Sequence, residues 1–409
     1  SSLNNAVCHG KVDSLDLLGV LLRFVMFKHA VAADITKMYN MFNLVSKYWN
    51  LQRVVMKKDL DPNGDVIDAV ITTLIYGVSC VSCQTEEASG KIATNCRKEH
   101  PKAADCIEKS RYVDNLLKSF NSREEALEVT GVVDECFAEL SLFTRGWSHT
   151  GEAPVQEESA DGVSLELMGI RWFPFFDTLQ IKIPRLHFGK KVRGRLDPKT
   201  TFFEGDFGKM SDFVPDALTR RQIVSKRASI FDMFGKITPV TAKLKRFEKE
   251  VLNFTKSWDE AVSEELRLQA IKNFIMIEKL RGIHYQRAKI PVDAMSEVAR
   301  IILVVDAAED ILMFTVYIGF KKEDGSWSCD HLIGRSALSS LTIPRNEMQS
   351  MMAGSNLAWL VRKALNDNVG EQVTCGDSEI VLHWILSDHR KLEPWHRNRV
   401  VQIRRAIDL

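Results

Sequence analysis

What most constrains this chain is a repeated placement of acids at the ends of short apolar runs. Ala30-Val31-Ala32-Ala33 leads directly into Asp34. Asp114 stands in the turn of Tyr112-Val113-Asp114-Asn115, between polar Lys109-Ser110-Arg111 and apolar Leu116-Leu117. An acidic residue at a tight turn between two short apolar runs is an unusual placement. The elements read in order are strand, helix, hairpin and helix. That order predicts an α+β fold in which long-range pairing brings Asp34 beside Asp114.

The surrounding pattern supplies the elements. Residues 12 to 30 are too densely apolar for a surface face and predict a buried helix. Gln52–Met56 and Asp68–Ile75 are strand candidates on either side of the turn signal Asp61-Pro62-Asn63-Gly64. Ser79–Arg97 predicts a helix, 112–117 a hairpin and Arg123–Leu142 a second helix. Residues 145 to 164 are polar and predict an exposed loop. Leu165–Trp172 and Thr178–Ile183 read as another hairpin. Thr219–Trp258 is helical apart from Phe234-Gly235-Lys236 and Pro239, and Trp258–Leu280 continues as amphipathic helix.

From Ala299 the pattern turns to strand: Ile301–Asp306, Met313–Phe320, then Glu323-Asp324-Gly325 as the turn into Trp327–Ile333. The change places a domain boundary near residue 290. This last segment repeats the opening motif. Asp306 closes Ile301-Ile302-Leu303-Val304-Val305, and Glu347 lies in the helix that begins near Ile343-Pro344. Asp377 follows Val373-Thr374-Cys375-Gly376 and opens a helix through Trp384. A sheet that gathers three acids at element ends is laid out to hold Mg²⁺. The competing account makes each acid a cap or a solvated charge, with Asp377 the N-cap of its helix.

Composition narrows the class without naming a partner. The 409 residues suffice for two or three domains, and 45% hydrophobic with 27% charged residues is ordinary for a globular protein. A net charge of +1 conceals any local field, so a polyanionic partner has to be sought in patches. The run Lys190-Lys191-Val192-Arg193-Gly194-Arg195 is one, as a phosphate-contacting loop or a solvated surface. Leu15 to Val31 is interrupted by Arg23, Lys28 and His29, so no membrane span and no signal peptide is expected. Opening on Ser1 rather than Met, the chain reads as a fragment or a processed product.

Eight scattered cysteines without framework spacing point to a reducing, intracellular compartment. Cys80, Cys83, Cys96 and His100 have the look of a zinc set. If Ser79–Arg97 is one helix, however, Cys83 and Cys96 stand about 20 Å apart, too far to share an ion.

Taken together, these segments resemble the reverse transcriptase–ribonuclease H region of the Bel/Pao class of LTR retrotransposons over nearly the whole chain. Ala33-Asp34-Ile35-Thr36-Lys37-Met38-Tyr39 is similar to that family's first polymerase motif, and Tyr112-Val113-Asp114-Asn115-Leu116-Leu117 to its Tyr-Val-Asp-Asp-Leu-Leu hairpin. Leu167-Met168-Gly169-Ile170-Arg171-Trp172 resembles its next hairpin. Thr219-Arg220-Arg221-Gln222 through Ile230-Phe231-Asp232 to Gly235 and Pro239 resembles its thumb-like signature. Leu341-Thr342-Ile343-Pro344-Arg345 with Glu347, and Asp377-Ser378 to Trp384-Ile385, resemble its ribonuclease H half.

The resemblance implies a reverse-transcriptase-like palm with partial fingers over 1–184 and a mainly helical thumb and connection over 185–290. A ribonuclease H-like α/β domain would fill 291–409, ending before its fourth carboxylate, for which Asp408 is a poor candidate. It implies RNA-directed DNA synthesis and ribonuclease H cleavage by two-metal phosphoryl transfer with Mg²⁺ or Mn²⁺. Asp34 and Asp114 would be the catalytic, metal-holding residues of the first activity, and Asp306, Glu347 and Asp377 those of the second. Tyr39, Gly77 and Tyr112 would touch substrate, Tyr39 as the ring against the sugar 2′ position. The implied partners are an RNA or DNA template–primer, an RNA–DNA hybrid and deoxynucleoside triphosphates, in the cytoplasm, a virus-like particle or the nucleus.

Three departures cut against full activity. Asn115 replaces the second hairpin aspartate, Met313 replaces a glycine, and Ser79-Cys80-Val81-Ser82 stands where the family has Ser-Pro. The alternative is a catalytically degenerate or host-adopted descendant, retained as a scaffold for nucleic acid or protein.

Overall fold

The first unit is built around the strand that carries Asp34. The computed structural model describes residues 3–10, 16–155, 161–189, 196–202, 205 and 207–407. The basic run 190–195 and Asp408 lie outside the described residues. Contacts divide the chain into two units: Ser1–Leu165 with Pro174–Asp177, and Glu166–Phe173 with Thr178–Leu409. No helix among the described residues is long and apolar enough to cross a membrane.

The first unit opens with the short α1 (Leu3–Ala6) and α2 (Leu17–Phe24), whose first turn is capped by the Asp16 carboxylate accepting from the Leu18 N–H. β1 (His29–Asp34) follows, its four central residues buried. β2 (Arg53–Lys57) and β3 (Val66–Val70) form a separate ribbon with Arg53 opposite Val70. The second of these strands starts and ends earlier than Asp68–Ile75, because the 61–64 turn fixes the register. α3 (Val81–Cys96) and α4 (Pro101–Lys109) lead to β4 (Arg111–Tyr112) and β5 (Asn115–Phe120). α5 (Arg123–Ala138) starts where the Ser122 hydroxyl accepts from the Glu125 N–H, with Glu124 and Glu125 favouring its positive end.

The sheet of this unit has the order β4-β5-β1-β6, with β1 and β5 antiparallel and Asp34 directly opposite Asn115. β6 (Ser148–His149) corrects the expectation of a loop over 145–164, since it pairs with Val31 and Ala32 and its Ser148 is buried. Two residues are too few to show a period, which is why polarity alone misled there. Val31, Leu116 and Phe120 pack against Ala103, Ala104 and Ile107 of α4 and Val129, Val133 and Phe137 of α5. Burying each large side chain is worth about 1.5–3 kcal/mol, so this layer holds the sheet face in place.

The second unit contains β7 (Leu165–Leu167), β8 (Ile170–Phe173), β9 (Thr178–Ile181) and β10 (His284–Gln286) in the order β10-β9-β8-β7. Leu165–Trp172 is therefore two strands: Met168 (φ 48°) and Gly169 (φ 90°) turn the chain between them. After α6 (Met210–Phe213), α7 (Arg220–Ala228) begins on a reciprocal cap between Thr219 and Gln222. Pro239 does not break a helix. It sits in the first turn of α8 (Thr238–Phe254), where its missing N–H costs nothing. α9 (Glu264–Lys279) completes a core of Leu244, Phe247, Val251, Ala270 and Phe274.

A further sheet follows in the order β13-β12-β11-β14, from β11 (Ala299–Ala307), β12 (Ile311–Lys321), β13 (Trp327–Leu338) and β14 (Val369–Cys375). β14 runs parallel to β11 and the other pairs are antiparallel. The crossover is α10 (Ile343–Leu365), whose Gly354 lets it lie on Val305, Leu303 and Phe314; a Cβ there would come within 2.7 Å of Val305. α11 (Glu379–Leu386) and α12 (Pro394–Ala406) close the chain. Asp377 is not the cap of α11, since Ser378 occupies that position.

One close approach in this unit depends on a glycine. Gly235 adopts φ +70°, and a Cβ built on it would lie 1.9 Å from the Gly334 carbonyl oxygen of β13. Gly235→Ala should therefore lower unfolding free energy by about 3 kcal/mol or more, through left-handed strain and overpacking together. A urea midpoint indistinguishable from that of the parent would contradict this packing.

Two candidate carboxylate sites

In the first unit the sequence places two acids on adjacent elements, and the backbone locks them together. The Ile35 N–H donates to the Asp114 carbonyl at 2.8 Å, directly beyond the Asp34–Asn115 pair. The two-residue turn Val113-Asp114 requires φ +58° at Val113, a costly conformation for a β-branched residue. Arg111 stabilises it: the buried guanidinium donates to the Val113 carbonyl at 2.7 Å and to both Glu86 oxygens at 3.1 and 2.6 Å. Such an ion pair holds geometry, and removing one partner costs about 3–5 kcal/mol. Lys37, three residues past Asp34, is also left-handed at φ 47°.

The electrostatics of the pair are specific. Asp34, with its side chain a quarter exposed, has its pKa pushed up to about 6 by burial and then by the charge of Asp114, against the pull of Arg145. Arg145 Nε lies 3.2 Å from Asp34 Oδ1, and the Arg145 backbone N–H donates to the Asp34 carbonyl at 2.9 Å. On the other side the Asn115 amide donates to Asp114 Oδ1 at 3.0 Å. Asn115 thus places a neutral amide donor, and no second charge, on Asp114 Oδ1.

Tyr39 is 8% exposed and packs with Leu74 and Val81, its ring edge-on to Tyr76 at 4.6 Å. The Tyr76 phenol titrates above its ordinary range through local desolvation, then through the negative charge of Asp114, with Tyr39 and Asp34 adding to it. Gly77 has φ +90° with open space around its Cα, and its carbonyl accepts from the Asn4 side chain at 2.8 Å. Tyr112 is half-buried and paired with Asn115 in the hairpin.

The second unit gathers three acids. Asp306 at the end of β11, Glu347 in the second turn of α10 and Asp377 just past β14 each place an oxygen within 4.8 Å of the other two. Glu347 is 8% exposed, and its pKa is raised by burial, then by Asp377 and Asp306. Two fully buried polar residues, four apart on α10, aim the helix. The Asn346 amide donates to the Ala308 and Glu309 carbonyls at 2.8 and 3.1 Å. The Ser350 hydroxyl lies 3.0 Å from the Asp306 carbonyl and 2.8 Å from that of Met313. Met313 itself pairs with Asp306 across β11 and β12.

Sequence reasoning missed Arg145, Tyr76, Arg111, Asn346 and Ser350. Of these, the Asn346–Ser350 pair had a signal: two polar residues four apart on the face of the helix that also carries Met351, Leu357 and Val361. Arg145 had none, because its contact spans the chain from a segment read as loop. The acidic triad is the only three-ligand group of His, Cys, Asp or Glu among the described residues. The cysteine helix runs unbroken over Val81–Cys96, which separates Cys83 from Cys96.

A pH dependence follows from Asp34. Because its carboxyl titrates higher in the fold than in the unfolded chain, its stabilising contribution is complete below the ordinary carboxylate range. That contribution is lost as pH rises through about 6. In metal-free buffer, the Tm of the parent should therefore fall relative to Asp34→Asn between about pH 4 and pH 7. A parent that gains stability relative to Asp34→Asn over that range would show Arg145 to be the dominant neighbour.

Residues 219–378 match a family described as the Pao retrotransposon-like RNaseH-like domain, a span that contains Asp306, Glu347 and Asp377. A structure of the foamy viral protease–reverse transcriptase with RNA/DNA hybrid is similar at a TM-score of 0.54 and 12% identity. The similarity covers 99% of this chain and 46% of that one. A second structure, the foamy viral protease–reverse transcriptase dRH in complex with ds DNA, gives a TM-score of 0.57 at 12% identity, covering 100% and 60%. The chain thus spans about half the length of these relatives, and at this identity the likeness is one of fold. No curated protein matches the chain. The fold resembles that of the foamy viral protease–reverse transcriptase, and residues 219–378 carry the match to the Pao retrotransposon-like RNaseH-like domain.

Proposed function

We propose that this chain acts on nucleic acid, and that its best-founded chemistry is metal-dependent cleavage of a phosphodiester at Asp306, Glu347 and Asp377. The observation that carries this is the convergence of three carboxylates from three elements within 4.8 Å. Three acids held this close repel one another, and a divalent cation relieves that repulsion. The donor set of hard carboxylate oxygens fits Mg²⁺ or Mn²⁺. Bound there, such an ion would supply Lewis-acid polarisation of a phosphodiester oxygen and a water made acidic enough to attack.

The residues of the chain do the rest. Asp306 and Asp377 stand exposed, where substrate and cation can reach them, while Glu347 anchors the set from the helix. Its raised pKa keeps part of the site protonated at low pH, so cation binding should release a proton and weaken as pH falls. Foamy viral relatives of the same fold are seen with RNA/DNA hybrid and with ds DNA, which supports a nucleic-acid substrate for this chain. Ribonucleotide cleavage in an RNA–DNA hybrid with Mn²⁺ or Mg²⁺ is the direct test. Asp306→Asn and Glu347→Gln should each lower the rate by at least about 100-fold with unchanged folding. Equal activity in Asp306→Asn would remove the triad from the reaction.

The second reading is RNA-directed DNA synthesis at Asp34 and Asp114, and the juxtaposition of these two acids across the Ile35–Asp114 hydrogen bond favours it. As they stand, the pair fits a two-metal centre less well than the triad does. Arg145 and the Asn115 amide each contact a carboxylate oxygen that a cation would take. In this reading Tyr39 beside Tyr76 forms the wall against the sugar, and deoxynucleoside triphosphates are the second substrate. Primer extension on an RNA template should be weak in the parent and rise at least about tenfold in Asn115→Asp, which restores an anionic ligand. No gain in Asn115→Asp over a silent parent would leave this unit as the scaffold of a degenerate descendant.

A further inference from the structure

Between α7, the start of α8 and β13 lies a cavity of about 140 Å³ that the chemistry above does not use. Three cationic side chains converge on it from three elements: Arg227 from α7, Lys245 from α8 and Arg335 from β13. Arg227 is matched by Glu248, which accepts from its guanidinium at 2.7 and 3.0 Å. The other two have only neutral hydrogen-bond partners. Lys245 Nζ donates to the Ser336 carbonyl at 2.6 Å and the Ser336 hydroxyl at 3.2 Å. Arg335 donates to the Gly334 and Met233 carbonyls at 2.9 and 2.6 Å. A carbonyl satisfies a donor without cancelling its charge.

One acid lines the same wall and has to be counted. Asp232 accepts from the backbone N–H groups of Lys236 and Ile237 at 3.0 and 2.8 Å, so it caps the entry to α8 and offsets one cation. With Glu248 offsetting Arg227, a positive charge still remains over the cavity. Burial, then Arg227 and Arg335, press the Lys245 ammonium below its ordinary pKa against the opposing pull of Glu248. The remaining lining includes the hydroxyls of Thr238 and Thr241 and the bare backbone of Gly235. The volume is several times what a single water requires.

The geometry points to a binding site for one phosphate group, held by Lys245 and Arg335 with Arg227 behind them. Its source is either a backbone phosphate of a polynucleotide or a free phosphate ion. The first is favoured here because the same unit carries the acidic triad, and only that preference rests on the function proposed above.

The full chain is tested with two probes, a short fluorescent RNA–DNA hybrid and inorganic phosphate. If the site takes a backbone phosphate, Lys245→Met weakens hybrid binding about tenfold. It also lowers the slope of log affinity against log salt by about 1, and Lys245→Arg retains most of both. If it takes the free ion, calorimetric binding of inorganic phosphate is lost in Lys245→Met while hybrid affinity is unchanged. Should Lys245→Met fail to fold, Thr241→Leu fills the cavity without removing a charge and should give the same losses. Hybrid affinity, salt slope and phosphate binding all unchanged in a folded Lys245→Met or Thr241→Leu would overturn the site. A parent that binds phosphate but no hybrid would retain the site and refute the nucleic-acid reading instead.

Discussion

The structure of the second unit rests on a repulsion that its frame has to overcome. Two like charges about 5 Å apart near a protein surface, at an effective dielectric of about 20, repel by about 3 kcal/mol. Asp306, Glu347 and Asp377 lie at that range from one another. Nothing in their own chemistry favours the arrangement, so rigid elements must impose it. The parallel pairing of β14 with β11 brings Asp377 to the end of the strand that carries Asp306. The Asn346 and Ser350 side chains tie α10 to the carbonyls of the β11–β12 hairpin and so fix Glu347. Gly354 allows the helix to sit that low on the sheet.

The first unit resolves the same conflict in another way. There the repulsion between Asp34 and Asp114 is relieved from within, by the Arg145 guanidinium on one acid and the Asn115 amide on the other. Backbone strain at Val113 is held by the buried Arg111–Glu86 pair, so the hairpin keeps its shape whether or not a cation is needed. Strain of this kind persists where the surroundings over-determine it. The two centres therefore differ in what they leave available. One offers three acids with little to neutralise them, and the other offers two acids that the protein has already partly satisfied.

Much of this was legible in the residues, for physical reasons that also explain the failures. Apolar runs ending in an acid mark strand ends because burial and charge cannot share a position, as at Asp34 and Asp306. Pairing register was less legible. β6 is too short to have a period, and β3 is set by its turn rather than by its alternation. Gly169 announced a turn inside Leu165–Trp172 that the apolar pattern hid. Pro239 looked like a break and is a helix start, a distinction that depends on whether the preceding residues are helical. Arg145 could not have been placed by local reasoning, since an ion pair across more than a hundred residues leaves no trace in spacing.

In the function proposed above, a divalent cation relieves the repulsion among the three acids of the second unit. Thermal unfolding of the full chain with and without Mn²⁺ measures this most directly. Tm should rise with Mn²⁺ concentration in the parent and stay flat in Glu347→Gln, whose metal-free Tm equals or exceeds that of the parent. The same Mn²⁺-dependent rise in Glu347→Gln, or none in the parent, would contradict it.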